Sequence, residues 1–397
     1  MSATERAAAT DAGRRTTTFA YYLAFVGLGL VLASLGPTIP VLAQRTGSTL
    51  SAFSIVFIAH SVGYLVGALL GGRLFDRFPG HPLLSAMLAA IAVCMALVPL
   101  CPNLGLAVLA FTVLGSSEGS LDAGGNTLLV WLYPVGLGPW MNGLHFFFGV
   151  GAFLSPLIIA AIIGGGATVT HAYWALAALM LPPMLWLLRR PSPPIVSHRE
   201  EKPIDLRPHR GTVLLTGGLL FAAVGAEVGF GNWIYTYAVN QGLADASGGR
   251  LMTSAFWGAF TFARLLAIPL AARWTPVSIL LLCFGVAGVA AVLPLTSTGE
   301  VAWLWAATIL GGMAVAPMFA TALSLAGGRM PISGRAMGWF FVGSSAGGMT
   351  VPWVIGQLFE PVSPQAMFWV ILIDVGLGLG IWTFLRRGGR MAAAREG

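Results

Sequence analysis

Glu118, Asp122 and Asn126 fall four residues apart inside "GSSEGSLDAGGNT", Gly115 to Thr127. In a helix that spacing puts all three on one face. Two carboxylates and an amide on a common face can hold a proton or a cation and can hydrogen-bond a hydroxylated ligand. The surroundings make the arrangement costly, because the sequence from about 104 to 133 is otherwise apolar. An ionised side chain at the centre of a bilayer costs roughly 2.5–3.5 kcal/mol on the insertion scale. Glu227 and Asp374 are two further acids in apolar runs, and Arg264 is a permanent cation in another. One arginine cannot neutralise four carboxylates. Some of them must be protonated, bind a cation or reach a water-filled cavity. Glu118, Asp122 and Glu227 are therefore the candidate ion-coupling acids. Gly115 and Gly119 are expected to keep the acidic face open. The alternative for each acid is a hydrogen-bonded staple between helices, and for Asp374 that structural role is the expectation.

A second constellation is "GAEVGFGNWIYTY", residues 225–237. Gly225, Gly229 and Gly231 each weaken helix propensity by about 1 kcal/mol, which predicts a break beside Glu227 with exposed carbonyls. Asn232 both donates and accepts, and Trp233, Tyr235 and Tyr237 carry flat apolar faces with polar edges. Trp257 lies seven residues before Arg264, on the same helix face. Asn126, His145, Asn232, Trp233, Tyr237 and Trp257 are the candidate substrate ligands. For Tyr235 and Tyr237 an interfacial belt is an equal reading. His145, and with less support His60, fits either a proton shuttle or a helix–helix hydrogen bond.

Catalytic chemistry has little to stand on. "GSSEG" (115–119) fits G-x-S-x-G, but that motif needs a strand–turn–helix context. Cys94, Cys101 and Cys283 are scattered, which gives neither a disulfide framework nor metal spacing. No enzyme, resident metal or cofactor is expected; the coupling ion would be a proton or sodium.

The elements that must position these groups follow from composition. Of 397 residues 57% are hydrophobic and 9% charged, against roughly 25% charged in soluble domains. Twelve apolar runs reach the roughly 20 residues a spanning helix needs. Six lie near 18–43, 50–72, 83–101, 104–133, 141–165 and 170–188, and six near 211–239, 249–272, 275–296, 301–326, 333–358 and 365–385. The runs lack the period-two alternation of a barrel, so the expectation is an all-α membrane protein. With the N-terminus in the cytoplasm, all Lys and Arg but Arg45, Arg250 and Arg264 fall on the cytoplasmic side, as the positive-inside rule requires. The net charge of +7 is thus a topology signal, and no nucleic-acid partner is expected. Residues 1–17 read as a cytoplasmic tail without a signal-peptide core, and 387–397 as a second tail. "RRPSPPIVSHREEKPIDLRPHR" (189–210) reads as a cytoplasmic linker between an 18–188 bundle and a 211–386 bundle.

The two halves match at a constant offset of 196 residues, which pairs Arg77 with Arg273, Met141 with Met337, Gly151 with Gly347 and Pro156 with Pro352. The same offset maps Glu118, Asp122 and Asn126 onto Ala314, Met318 and Ala322. The scaffold therefore accepts apolar residues at these positions, and the polar trio is an addition to it. Two pseudo-symmetric six-helix bundles, related by an axis along the membrane normal, describe a transporter with its site between the halves.

"GGRLFDR" (71–77) resembles the signature loop of the major facilitator superfamily at Gly72, Leu74, Asp76 and Arg77, with "FPGHP" departing from it. The resemblance implies that Asp76 and Arg77 are gate residues, with the acid facing the start of the eleventh helix. "WGAFTFARLLA" resembles the eighth helix of the same superfamily and implies a gating or structural role for Arg264. "GSLDAGGNTLL" (119–129) is similar to the fucose, galactose and glucose permease group. "GAEVGFGNWIYTYA" and "LHFFFGVGAFLSPLI" resemble the sodium-dependent glucose transporter branch. By that resemblance Asp122 is the coupling acid and Asn126 a sugar ligand. "GLGLVLASLGPTIPVL" (27–42) lacks the acid of the proton-coupled fucose permease, which shifts weight onto Asp122 and Glu227. The expected function is symport of a sugar or similar polyhydroxylated solute with a proton or sodium, by a monomer in the cell (inner) membrane. The alternative is a proton-driven exporter of amphiphilic or cationic compounds.

On a background lacking the native cysteines, Ser197→Cys and Ala392→Cys should both be shielded from an impermeant thiol reagent in intact cells. Labelling of either without permeabilisation reverses the orientation.

Overall fold

The computed structural model describes residues 3–195, 205–296 and 299–396. Part of the expected linker, 196–204, lies outside the described residues. Among the described residues twelve helical segments cross the molecule: α1 Ala3–Leu32, α2 Ile55–Phe75, α3 Gly80–Leu97, α4 Leu104–Leu132, α5 Gly138–Gly164, α6 Val169–Leu188, α7 Arg210–Asn240, α8 Ala246–Ala271, α9 Pro276–Thr296, α10 Val301–Gly327, α11 Gly334–Phe359 and α12 Ala366–Glu396. Eleven are long and apolar enough to cross a bilayer. The exception is α11, whose 26 residues suffice in length but include Gly343, Ser344, Ser345, Gly347 and Gly348. The expected tails are helical extensions of α1 and α12 rather than loose segments. Alanine-rich sequence without proline permits both.

The repeat read from the sequence is a repeat in space. In the first half α1 packs on α5 and α2 on α4; in the second, α7 packs on α11 and α8 on α10. The halves meet through α5 with α8 and α2 with α11. Helices in lipid gain little from hydrophobic burial, so close approach through small residues holds each half together. A Cβ on Gly151 would strike the Val26 backbone oxygen of α1, and one on its counterpart Gly347 would strike the Phe221 oxygen of α7. These glycines fix packing within each half. Gly149, by contrast, abuts Thr261 of the other half, and Gly348 looks towards Ser61.

Gly36 and its repeat counterpart Asn232 touch each other. A Cβ on Gly36 would lie 2.9 Å from the Asn232 Cα. A residue that meets its own counterpart marks the pseudo-two-fold axis, and here it lies at the contact between the halves.

The interruption expected in α7 occurs elsewhere. α7 is one helix of 31 residues. Its glycines are filled by neighbours: Gly229 by Val351 and Ile355, Gly231 by Trp257 and Phe256. The break falls in its counterpart α1, where the helix stops at Leu32 and resumes as a 3-10 turn, Gly36–Thr38, and a short helix, Ile39–Arg45. Pro37 and Pro40 withdraw backbone donors there. The Thr38 hydroxyl donates to the Ser34 and Leu35 carbonyls and meets the Tyr173 hydroxyl of α6 at 2.9 Å. Packing has outweighed propensity in α7, and proline has decided α1.

Gly115 lies against the His60 backbone oxygen, so Gly115→Val should destabilise the α2–α4 pair by on the order of 1–3 kcal/mol through overpacking. Gly285→Ala, with nothing within 4 Å, should not lower the melting temperature in detergent. Thermal unfolding by tryptophan fluorescence separates the two; equal Tm values would contradict the packing account.

Candidate functional site

A single central cavity of about 680 Å³ collects most of the groups singled out above. Glu118, Asp122 and Asn126 enter it from α4, Glu227 and Asn232 from α7, Arg264 from α8 and His145 from α5. Three acids from the two halves thus share one space. Asn126 and Met141 mark its reach towards the end of the molecule that carries the termini, with Met337 on α11 opposite.

The other end is shut. The Ser51 hydroxyl meets the Gln357 side-chain oxygen at 3.1 Å, and the Gln357 amide donates to the Ser51 carbonyl at 2.8 Å and to the Ser54 hydroxyl at 3.1 Å. The Ser51 backbone N–H donates to Glu360 at 3.3 Å. Beneath this seal Phe57 packs on Trp233, with ring centres 6.2 Å apart. The structure is therefore the state open at the termini end. Asp76 and Arg77 follow α2 at that open end and are exposed, and no hydrogen bond or ion pair ties them to α11 among the described residues. Asp76 instead borders a surface pocket of about 290 Å³ with Gly72, Thr127 and Trp131. The contact with the eleventh helix implied by the signature loop is absent in this state.

Asp122 is held from both sides. The Tyr64 hydroxyl donates to one carboxylate oxygen at 2.6 Å, and the Asn126 amide donates to the other at 3.0 Å and to the Asp122 carbonyl at 2.8 Å. Both donors are neutral, so they orient the carboxylate without cancelling its charge. Tyr64 was not legible as a site residue. Its signal is "HSVGY", which spaces His60 and Tyr64 four apart on α2 to match Glu118 and Asp122 on α4. Glu118 is 1% exposed, and its Oε1 lies 3.2 Å from His60 Nε2.

Gly115 and Gly119 do not open this face. They sit against the His60 and Tyr64 backbone oxygens and draw α2 and α4 together. The close approach is what lets side chains on α2 reach the acids of α4.

Arg264 stacks on Phe260, 4.5 Å from the ring centre, and reaches Phe148 of the other half at 5.8 Å. No carboxylate lies within ion-pair distance of it among the described residues. The aromatic candidates sit elsewhere. Trp233 is fully buried and donates to the Pro352 carbonyl at 3.0 Å. Tyr237 packs on Phe368, and Trp257 lies between Phe256 and Phe260. None of the three lines the cavity; Tyr237 and Trp257 fill the core of the second half, and Trp233 packs between Phe359 of that half and Phe57 of the other. Tyr235 is likewise buried, beneath Arg250. Asp374 lies behind α7 against Gly225 and is 3% exposed.

The seal makes the state testable. Ser51→Cys with Gln357→Cys, bridged by a short bifunctional thiol reagent in a cysteine-free background, should hold the closed end shut and stop transport. A reducible bridge should restore it on reduction. Unimpaired transport after complete bridging would mean that this end does not open.

The sequence matches the Major Facilitator Superfamily model over residues 17–326. It is 29% identical to sodium-dependent glucose transporter 1A of Mus musculus over 374 residues, covering 85% of this chain and 88% of the relative. It is 30% identical to sodium-dependent glucose transporter 1 of Xenopus laevis, covering 83% and 73%. The crystal structure of the nucleoside transporter NupG superposes with a TM-score of 0.74 at 11% identity, covering 94% of this chain and 98% of that one; the likeness is one of fold. The chain belongs to the major facilitator superfamily and is a multi-pass membrane transporter.

Proposed function

We propose that the protein couples a cation to the movement of a sugar or similar polyhydroxylated solute by alternating access. The observation that carries this reading is Asp122, fixed by neutral donors on both oxygens and facing the same cavity as Glu227 of the opposite half. Such a carboxylate gains from a proton or a sodium ion, and loading it changes the charge of the space that holds the solute. The Asn126 and Asn232 amides each spend a donor on their own helix, at Asp122 O and Val228 O. Their carbonyl oxygens remain to accept from hydroxyls. Glucose and sodium are the solute and ion in the names of the similar transporters, and they are the first pair to test. With both termini in the cytoplasm of a cell (inner) membrane, the open end faces the cytoplasm.

One observation favours the exporter as a second reading. Phe25, Phe111, Phe148, Phe319 and Phe341 line the same cavity, and aromatic walls suit amphiphiles. Counterflow of labelled D-glucose in proteoliposomes supports the sugar reading if it occurs, and shifts weight to the exporter if it does not.

Asp122→Asn keeps the shape of the side chain and removes its charge. The expected outcome is loss of gradient-driven accumulation with exchange between solute pools retained. Full accumulation by the variant would reduce Asp122 to a helix staple.

A further inference from the structure

We infer that His60 and Glu118 form a proton-binding site separate from Asp122. The two acids of α4 are one turn apart, yet they are treated differently. The side-chain partners of Asp122 are the Tyr64 hydroxyl and the Asn126 amide, neither of which changes charge near neutral pH. The partner of Glu118 is an imidazole 3.2 Å away, the side chain whose ordinary titration lies there. With one proton shared between them the pair is neutral overall; without it the pair carries one negative charge. In a space of low dielectric beside Asp122 that difference alters the binding of any other cation.

The geometry also controls access. Both groups line the cavity, but Glu118 is 1% exposed and the His60 side chain 18%, so the imidazole is the more open of the two. A proton enters from cavity water at His60 and leaves the same way. In this state that water connects only with the open end, because the seal of Ser51, Ser54 and Gln357 closes the other. In this state the pair therefore exchanges protons with the open side only. Other titratable or charged groups around it are Tyr64 on α2, Asp122 on α4, Cys94 on α3, Tyr173 on α6, His145 on α5, Glu227 on α7 and Arg264 on α8. On the α11 side the cavity presents Ser344 and Ser345. Among these Glu118 alone is in hydrogen-bond contact with an imidazole, and the second half has alanine at its equivalent position, Ala314.

The proton chemistry of the pair is independent of the solute; only its use rests on the transport reading. The test accordingly needs no solute. Infrared difference spectra between acid and alkaline pH, recorded on the reconstituted full chain, read carboxyl and imidazole protonation directly. The wild type should show a band set that is lost in both His60→Gln and Glu118→Gln and kept in Asp122→Asn. Thermal unfolding of each variant confirms that it is folded, and His60→Asn replaces a variant that is not. Bands unchanged by removal of His60 or Glu118, or lost only in Asp122→Asn, would overturn the assignment.

Discussion

Asp122 receives one hydrogen bond on each carboxylate oxygen, from Tyr64 across the α2–α4 contact and from Asn126 one turn along α4. Much else in the first half follows from holding and aiming that carboxylate while it is away from bulk water. Neutral donors recover part of the lost hydration and leave the negative charge intact. Tyr64 reaches it only because α2 and α4 approach at Gly63, Gly67, Gly115 and Gly119, where a Cβ would strike the backbone of the facing helix. Each glycine costs about 1 kcal/mol of helix propensity relative to alanine. The close contact returns packing that lipid-facing helices cannot obtain from the hydrophobic effect.

The second half answers with different chemistry on the same scaffold. Where α4 carries Glu118, Asp122 and Asn126, α10 carries Ala314, Met318 and Ala322, all buried. Its own charged groups arrive from α7 and α8 as Glu227 and Arg264. Arg264 lies over Phe260 and Phe148 rather than on a carboxylate. A guanidinium on an aromatic face is held by a weaker attraction than an ion pair in the same low dielectric. Neither Asp122 nor Glu227 is paired with it among the described residues. The two halves touch on the pseudo-two-fold axis at Gly36 and Asn232.

Much of this was legible in the sequence, and the failures have physical causes. The apolar runs located all twelve helices, because helix length and apolarity are imposed by the bilayer. The offset of 196 residues located the repeat. The face of Glu118, Asp122 and Asn126 was legible because helical periodicity is local. The break was expected at the glycines of α7 and occurs at the prolines of α1, since a glycine is tolerated wherever a neighbour such as Ile355 or Trp257 fills the space beside it. Trp233, Tyr237 and Trp257 read as ligands and turn out to be core, because nothing in a helical sequence tells an inward face towards other helices from one towards a cavity. Tyr64 and the His60–Glu118 pair depend on contacts between residues 58 apart in the chain, and spacing along one helix does not reveal the partner on another.

The central claim is that the charge of Asp122 links cation and solute within one cavity. Linkage is reciprocal, so the cation must tighten solute binding by the factor by which solute tightens cation binding. The most direct measurement is the Kd for D-glucose, followed by tryptophan fluorescence of the purified protein, as sodium and pH are varied in turn. The account predicts that one of the two cations lowers Kd in the wild type and that this dependence disappears in Asp122→Asn while binding itself persists. A measurable Kd that neither cation changes, or a cation dependence that survives in Asp122→Asn, would contradict it.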